Sequence, residues 1–249
     1  MPPLTSGPIQ PLPNSIDLHV HEVVHLTSVT STMDEAHARA SRGAPAGTLI
    51  VADEQTAGRG RSGNVWESDA GVGVWCTLIE RPTDTAAVDV LSIRLGLALA
   101  RSLETFTAGP ISVKWPNDLY VGQGKLAGIL VEARWREGAL DWVAIGIGVN
   151  LAAPRLNRSA ATTKVGTARN DVLRQIVPAV RAAARIHGYL TEQEEFDWTQ
   201  RDLSINRAVK APIMGVVRGL ARNGALRVED ASGVVHEIRA GSLVFDAIG

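Results

Sequence analysis

Residues 51–66 read V-A-D-E-Q-T-A-G-R-G-R-S-G-N-V-W, an apolar run that opens into a loop holding Gly58, Gly60 and Gly63 beside Arg59 and Arg61. Glycines permit backbone conformations that a side chain forbids, so successive N–H groups can turn inward around an anion. Two arginines add planar forks suited to bidentate grip on phosphate or carboxylate oxygens. The stretch lacks the G-K-[ST] ending of a triphosphate P-loop and the third glycine of a dinucleotide fingerprint. Taken alone, it reads equally well as a solvated turn.

Outward from the loop, residues 48–52 form a buried strand that delivers it, and residues 72–79 a second apolar strand. Before the loop, residues 18–26 alternate weakly as a strand with His19, His21 and His25 on one face, a row that lacks a cysteine or carboxylate placed to complete a metal shell. Thr32 and Glu35 have capping-box spacing and predict a helix to about Arg42, with Ser31 and Thr32 at its N-terminus where a polar ligand can be met. Beyond the second strand, apolar residues at helical spacing predict one long amphipathic helix over 84–106. A short strand over 111–115 is stopped by Pro116, leaving Asn117 and Asp118 at its mouth. Lys125 heads a further apolar strand in which Gly128 admits close approach, and residues 140–149 return as its hairpin partner ending at Asn150. Helices are predicted over 170–189, bent or interrupted at Pro178, and over 191–202, opened by Thr191 and Glu194.

From Ile205 the texture changes to short strands with hairpin signals at Asn223-Gly224 and Ser232-Gly233, a small all-β module after an α+β domain. The predicted organisation is a proline-rich disordered lead-in over 1–17, a main domain over 18–204 and the β module over 205–249. At 249 residues, 45% hydrophobic, the chain can bury a sizeable core. A net charge of -1 gives no general attraction to nucleic acid or anionic membranes, so any basic function is local. A lone cysteine, Cys76, excludes an internal disulfide framework; with no apolar run of membrane length and no signal pattern, a soluble cytoplasmic protein is expected.

Five ordered strings, S-T-M-D, E-Q-T-A-G-R-G-R, V-K-W-P-N-D-L-Y, K-L-A-G-I-L-V-E and G-I-G-V-N, resemble those of the biotin protein ligases over about residues 25–150. The terminal β module resembles the SH3-like C-terminal domain of that family. The resemblance implies an α+β fold with a mixed sheet covered by helices, the class II synthetase-like catalytic domain, followed by a small SH3-like barrel. It implies activation of biotin by ATP to biotinyl-5'-AMP and transfer to a lysine of a biotin carboxyl carrier protein. By motif match, Ser31, Thr32, Met33 and Gln55 lie by biotin; Gly58, Arg59, Gly60 and Arg61 close over carboxylate and phosphate. Lys125 stands between carboxylate and α-phosphate, with Gly128 giving room. Trp66, Asn117, Asp118 and Asn150 fall at ATP or the adenylate, with Mg2+ carried on the ATP phosphates and Asp118 or Asn150 as its protein ligand.

The family writes G-R-G-R-x-G-R-x-W where this chain has Asn64 for the third arginine, which implies weaker retention of the adenylate. Only about twenty residues precede the motifs, too few for the helix-turn-helix of the longer bacterial members, so a short form without specific DNA binding is expected. A homodimer paired through the sheet of residues 125–150 is left open. The rival readings are a lipoate or octanoate ligase or transferase of the same fold, a catalytically idle biotin-binding module, and a nucleic-acid patch built from Arg218, Arg222, Arg227 and Arg239.

Overall fold

The computed structural model describes residues 11–156 and 159–246. Seven strands form one mixed sheet in the order β1-β2-β3-β7-β6-β5-β4: β1 (Glu22–Val29), β2 (Thr48–Gln55), β3 (Gly73–Glu80), β4 (Ile111–Lys114), β5 (Asp118–Val121), β6 (Gly124–Arg136) and β7 (Ala139–Asn150). β1 and β2 run parallel and every other neighbouring pair is antiparallel. The parallel pair needs a crossover, and α1 (Thr32–Ser41) supplies it.

The period-two alternation of the strands sorts side chains between the two faces of the sheet. Leu49, Val51 and Leu78 join the larger core beneath α3 (Leu91–Leu103) and α4 (Arg169–Ala183), whereas Ile50, Ile79 and Ala144 pack under α1 with Met33, Ala36 and Ala40. Each leucine of α3 that is fully withdrawn from water contributes about 1.5–3 kcal/mol. Arg94 is buried in this layer and is held by Glu194 at 2.6 Å and by the carbonyls of Ile186, Gly188 and Tyr189, which tie α3 to α5 (Glu192–Arg201).

The long helix expected over 84–106 is divided. α2 (Thr85–Asp89) is capped by Asp84, Val90 leaves helical geometry at φ -103 and ψ 1, and α3 begins anew before a 3-10 turn at Glu104–Phe106. Pro178, expected to bend α4, sits inside it without interrupting it, and α4 ends by residue 183 rather than 189. At α1 the cap is Ser31, whose Oγ accepts from the Met33 N–H; Thr32 is already helical. α5 has the predicted capping box of Thr191 and Glu194.

The lead-in expectation holds no description for residues 1–10, which lie outside the described residues. From Pro11 on it is corrected: the Asn170 side chain donates to the Pro11 carbonyl, Leu12 packs on the core, and a turn over 15–19 buries Leu18 completely. An apolar contact and an accepted hydrogen bond at the carbonyls suffice here, because prolines lack only the donor. The same turn corrects the histidine row, since His19 lies at φ 53 ahead of β1, and His25 Nε2 is spent on Asp53 at 2.8 Å.

The terminal module is a five-stranded antiparallel sheet in the order β11-β10-β9-β8-β12, comprising β8 (Ala208–Ala211), β9 (Gly215–Leu220), β10 (Leu226–Glu229), β11 (Val235–Ile238) and β12 (Val244–Phe245). Val209, Val217, Leu226 and Leu243 continue the larger core of the main sheet, and Trp115 Nε1 donates to the Gly224 carbonyl at 3.1 Å. Arg218 and Arg227 pair with Glu229 and Glu237 of the same module, and Arg222 approaches Glu195, so these three arginines are matched by carboxylates. No described helix is long and apolar enough to cross a membrane.

Candidate functional site

A cavity of about 360 Å³ opens on the α1 face of the sheet, where α1 stops covering β6 and β7. Its floor is made by alternation. Gly146 and Gly148 follow Ala144 on one face of β7, and Gly128 is the register partner of Gly148 on β6. A methyl group at Gly148 would stand 2.5 Å from Trp66 Nε1, and one at Gly128 would stand 2.8 Å from Trp66 Cζ3. The Trp66 indole lies over both positions, so the glycines let that ring seat against the sheet. In G-I-G-V-N the period-two spacing of glycines was the available signal for this floor, and sequence reasoning took it only as a motif.

One wall is a hydrogen-bonded chain from the sheet to the loop. Thr77 Oγ1 donates to Thr32 Oγ1 at 2.8 Å, and the Thr32 N–H and hydroxyl donate to Gln55 Oε1 at 2.7 and 2.9 Å. Gln55 Nε2 then donates to Ser68 Oγ, whose hydroxyl reaches the Trp66 carbonyl. Gln55 thereby satisfies an N–H that the start of α1 leaves without a helical partner. Thr77 was not among the expected residues; a threonine in an all-buried strand was its only mark.

The opposite wall carries charge. Lys125 Nζ lies 2.7 Å from Asp118 Oδ1 and 4.9 Å from the centroid of the Trp66 ring. The Arg61 guanidinium reaches Asn117 Oδ1 at 3.3 Å; burial pulls its pKa down, and the nearby Asp118 charge opposes that. Asn117 is itself oriented by its Nδ2 donating to the Ile129 carbonyl at 2.7 Å. Trp66 Nε1 is buried against Gly148 with no hydrogen-bond partner among the described residues.

The glycine-arginine loop is a short hairpin, not an open nest. Gly60 N donates to Asn64 O at 2.8 Å, Trp66 N to Gly58 O at 2.9 Å, and Arg59 bridges Val65 around a 3-10 turn at Arg61–Gly63. These N–H groups are consumed internally, so anion grip falls to side chains. Gly58 is required because a methyl there would meet the Trp66 carbonyl at 2.3 Å. Arg59, expected over the ligand, extends to acidic partners: Nη1 to Asp34 Oδ1 at 2.5 Å and Nη2 to Glu132 Oε1 at 2.6 Å. Glu132 also receives His37 Nε2 at 2.9 Å, and Trp142 Nε1 donates to His37 Nδ1 at 2.9 Å. The loop is thus fastened to α1 and β6 by a latch that motif reading did not contain, because its members are 25 and 73 residues away from Arg59.

Of the residues singled out from sequence, Ser31, Thr32, Met33, Gln55, Arg59, Gly60, Arg61, Trp66, Asn117, Asp118, Lys125 and Gly128 line this one cavity. Asn64 stands at its mouth and Ser242 of the terminal module also borders it. Gly58 lies beside a second opening on the outer side of the hairpin. Asn150 does not line the cavity; it is buried and its Nδ2 donates to the Lys125 carbonyl at 3.1 Å, holding the backbone that presents the ammonium. Among the described residues, no group of three or more histidine, cysteine or acidic residues is placed to hold a metal.

Residues 23–150 match the biotin/lipoate A/B protein ligase family. The chain is 34% identical over 202 residues to the bifunctional ligase/repressor BirA of Escherichia coli, an alignment covering 74% of this chain and 62% of that protein, so it spans less than two thirds of that relative. To the biotin--[acetyl-CoA-carboxylase] ligase of Mycobacterium tuberculosis it is 31% identical over 86% of this chain and 85% of the other. Among solved structures, the biotin protein ligase from Aquifex aeolicus in complex with biotin and ATP superposes with a TM-score of 0.74 at 26% identity, covering 91% of this chain and 99% of that one.

Proposed function

The chain belongs to the biotin/lipoate A/B protein ligase family, and on that premise we propose that it activates biotin with ATP to biotinyl-5'-AMP and transfers the biotinyl group to a lysine of a biotin carboxyl carrier protein. The observation that carries this reading is the convergence of Lys125, Arg61 and the Thr32–Gln55 wall on one glycine-floored cavity. The floor and Trp66 offer flat apolar contact to a fused ring. The Thr32, Gln55 and Ser31 groups offer donors and acceptors to a ureido head. Residues 18–204 form the catalytic part in this reading and 205–249 an accessory module.

In the first step a carboxylate oxygen attacks the α-phosphorus and pyrophosphate leaves. Two anions must meet, so the main task is positioning and charge stabilisation. Lys125 supplies a compact cation on a strand pinned by Asn150, and Arg61 a planar fork oriented by Asn117. In the second step the acceptor amine displaces AMP, and the same two cations stabilise the departing phosphate. Mg2+, when bound, would neutralise the ATP phosphates; Asp118, whose Oδ1 pairs with Lys125, would be the cavity carboxylate to hold it, whereas the Asn150 amide is committed to the Lys125 carbonyl.

A homodimer and the absence of specific DNA binding belong to the same proposal. β5 pairs with β6 only as far as Gly128, while β7 accompanies β6 to Arg136, which leaves one edge of the outer part of β6 unpaired among the described residues. Dimerisation through this edge is measurable by sedimentation, and operator binding by gel shift.

The deciding experiment mixes purified protein, biotin, Mg-ATP and a carrier domain. Pyrophosphate release and a biotinylated acceptor are expected, and Lys125→Ala should lower the rate by about 10²–10³-fold. Modification by lipoate in preference to biotin, read by mass spectrometry, would transfer the assignment to the lipoate branch of the family; no pyrophosphate release would leave a binding module.

A further inference from the structure

Lys125 and Gly128 both line the cavity although they stand three residues apart on β6. In a regular strand, residues an odd number apart point to opposite faces. Leu126 and Ala127, adjacent in sequence, are likewise both buried in the larger core. The cause is a β-bulge. Asp118 and Leu119 of β5 lie opposite Gly128 and Ala127, but the next residue, Tyr120, lies opposite Lys125, so Leu126 has no counterpart on β5. One extra residue bends the strand and re-aims the side chain beside it. A methyl at Gly128 would stand 3.3 Å from Lys125 Cε, which places the lysine stem over the same face as the floor.

Lys125 also stands ahead of the first register pair between β6 and β7, Ala127 with Val149. Its carbonyl is met instead by two other donors, Asn150 Nδ2 at 3.1 Å and the Ala161 N–H at 3.1 Å. Residues 159–163 follow β7 in the chain and come back along the start of β6. Thr163 N donates to the Asn150 carbonyl at 3.1 Å and Lys164 N to the Phe106 carbonyl at 2.7 Å, which fastens the segment beyond its contact with Lys125. Asn150 and Thr163 are both buried. The seat of the segment on β6 is Gly124, where a methyl would stand 2.5 Å from Ala161 N and 2.8 Å from the Ser159 carbonyl oxygen. Gly124 has no positive φ, so the missing side chain serves this close approach and not a turn.

We propose that residues 159–163 clamp the Lys125 bulge, and that Gly124 and Ala161 are positioning residues that keep the ammonium aimed into the cavity without lining it themselves. The inference rests on the ligase reading above, in which Lys125 stabilises charge in both half-reactions. A cation contributes most when it already points at the oxygens where charge develops. Lys125 Nζ lies 2.7 Å from Asp118 Oδ1 and 4.9 Å from the Trp66 centroid, a placement set by where the backbone leaves the bulge. Were the bulge to relax, β6 would regain its alternation and Lys125 would turn to the face opposite Gly128. The buried Leu126 side chain opposes that change from the core, and the clamp opposes it at the Lys125 carbonyl.

Gly124→Ala keeps Lys125 and every side chain of the cavity, yet it forces Ala161 N from 2.5 Å to at least 3.4 Å, where ordinary contact begins. A misplacement of about 1 Å costs about 10²-fold when it reaches the reacting groups in full. Transmitted in part to Lys125, it is expected to lower kcat for pyrophosphate release about tenfold while the KM for biotin stays within about twofold, because the Thr32–Gln55 wall is untouched. Ala161→Pro removes the donor from the opposite side of the same contact and should give the same split. The decisive measurement is a double-mutant cycle: in a Lys125→Ala background either substitution should cost less than about twofold more, since its effect passes through the ammonium. Losses that multiply in that background, or a wild-type kcat in both single variants, would overturn the clamp. Should Gly124→Ala not fold, Ala161→Pro carries the cycle alone. A wild-type protein that releases no pyrophosphate would instead remove the ligase reading.

Discussion

Replacing Glu132 by glutamine removes one charge from the latch that fastens the arginine hairpin while keeping its shape. Glu132 is 16% exposed and receives His37, Arg59 and Arg134. The His37 side chain is 13% exposed, so its bond to a carboxylate is worth about 1.5–3 kcal/mol, of which a neutral acceptor retains about half. Arg59 is 39% exposed, and solvent screening limits its pair to about 1 kcal/mol or less. Global stability should therefore fall by about 1–2 kcal/mol, while the part that holds the hairpin falls by about 1 kcal/mol, or about fivefold in a rate. Two assays read the hairpin separately from the fold: the off-rate of biotinyl-AMP in a chase, and the rate of tryptic cleavage after Arg59 and Arg61 in the unliganded protein. Both should rise about fivefold in Glu132→Gln and further in the double variant with Asp34→Asn. Equal off-rate and equal cleavage would refute the latch, whatever happens to the melting temperature.

Three further outcomes follow from the same geometry. Asn64→Arg places a second fork at the cavity mouth and should slow adenylate dissociation by about fivefold, equivalent to about 1 kcal/mol; an unchanged off-rate counts against a role for this position. Burial holds the His37 pKa below 6.5, so the unfolded chain binds the proton first as pH falls, and stability should drop as pH descends from about 6.5 toward the lowered native value; His37→Gln should flatten that part of a denaturation-midpoint series. Gly148→Ala sets a methyl 2.5 Å from Trp66 Nε1 on a strand paired on both sides, so the indole must yield at a cost of about 1–3 kcal/mol. Weaker biotin binding and an altered Trp66 contribution to emission, referenced to Trp66→Phe, are expected; identical titrations for both proteins would show that the floor tolerates a side chain.

Local rules of the chain were sufficient for the elements and for most of the cavity's residue types. The apolar run of residues 48–52, the returning strand of residues 140–149, the Thr191–Glu194 cap and the hairpin glycines at 224 and 233 each act within a few residues, so their outcome is written in the sequence. Eleven of the twelve expected residues that share one cavity stand in the five motif strings, and Trp66 follows the second of them, though nothing local states that they meet. Tertiary packing decided the rest. Val90 broke a helix whose apolar spacing was continuous, and Leu18 drew the proline-rich approach against the core. Arg59 bridged carboxylates on α1 and β6, and Asn150 turned from the cavity to hold a backbone carbonyl. Lys114 met Phe245 of the terminal β module. In each case the partner lies far along the chain, and a long-range contact between charges or apolar surfaces is fixed only when the sheet has set its strand order.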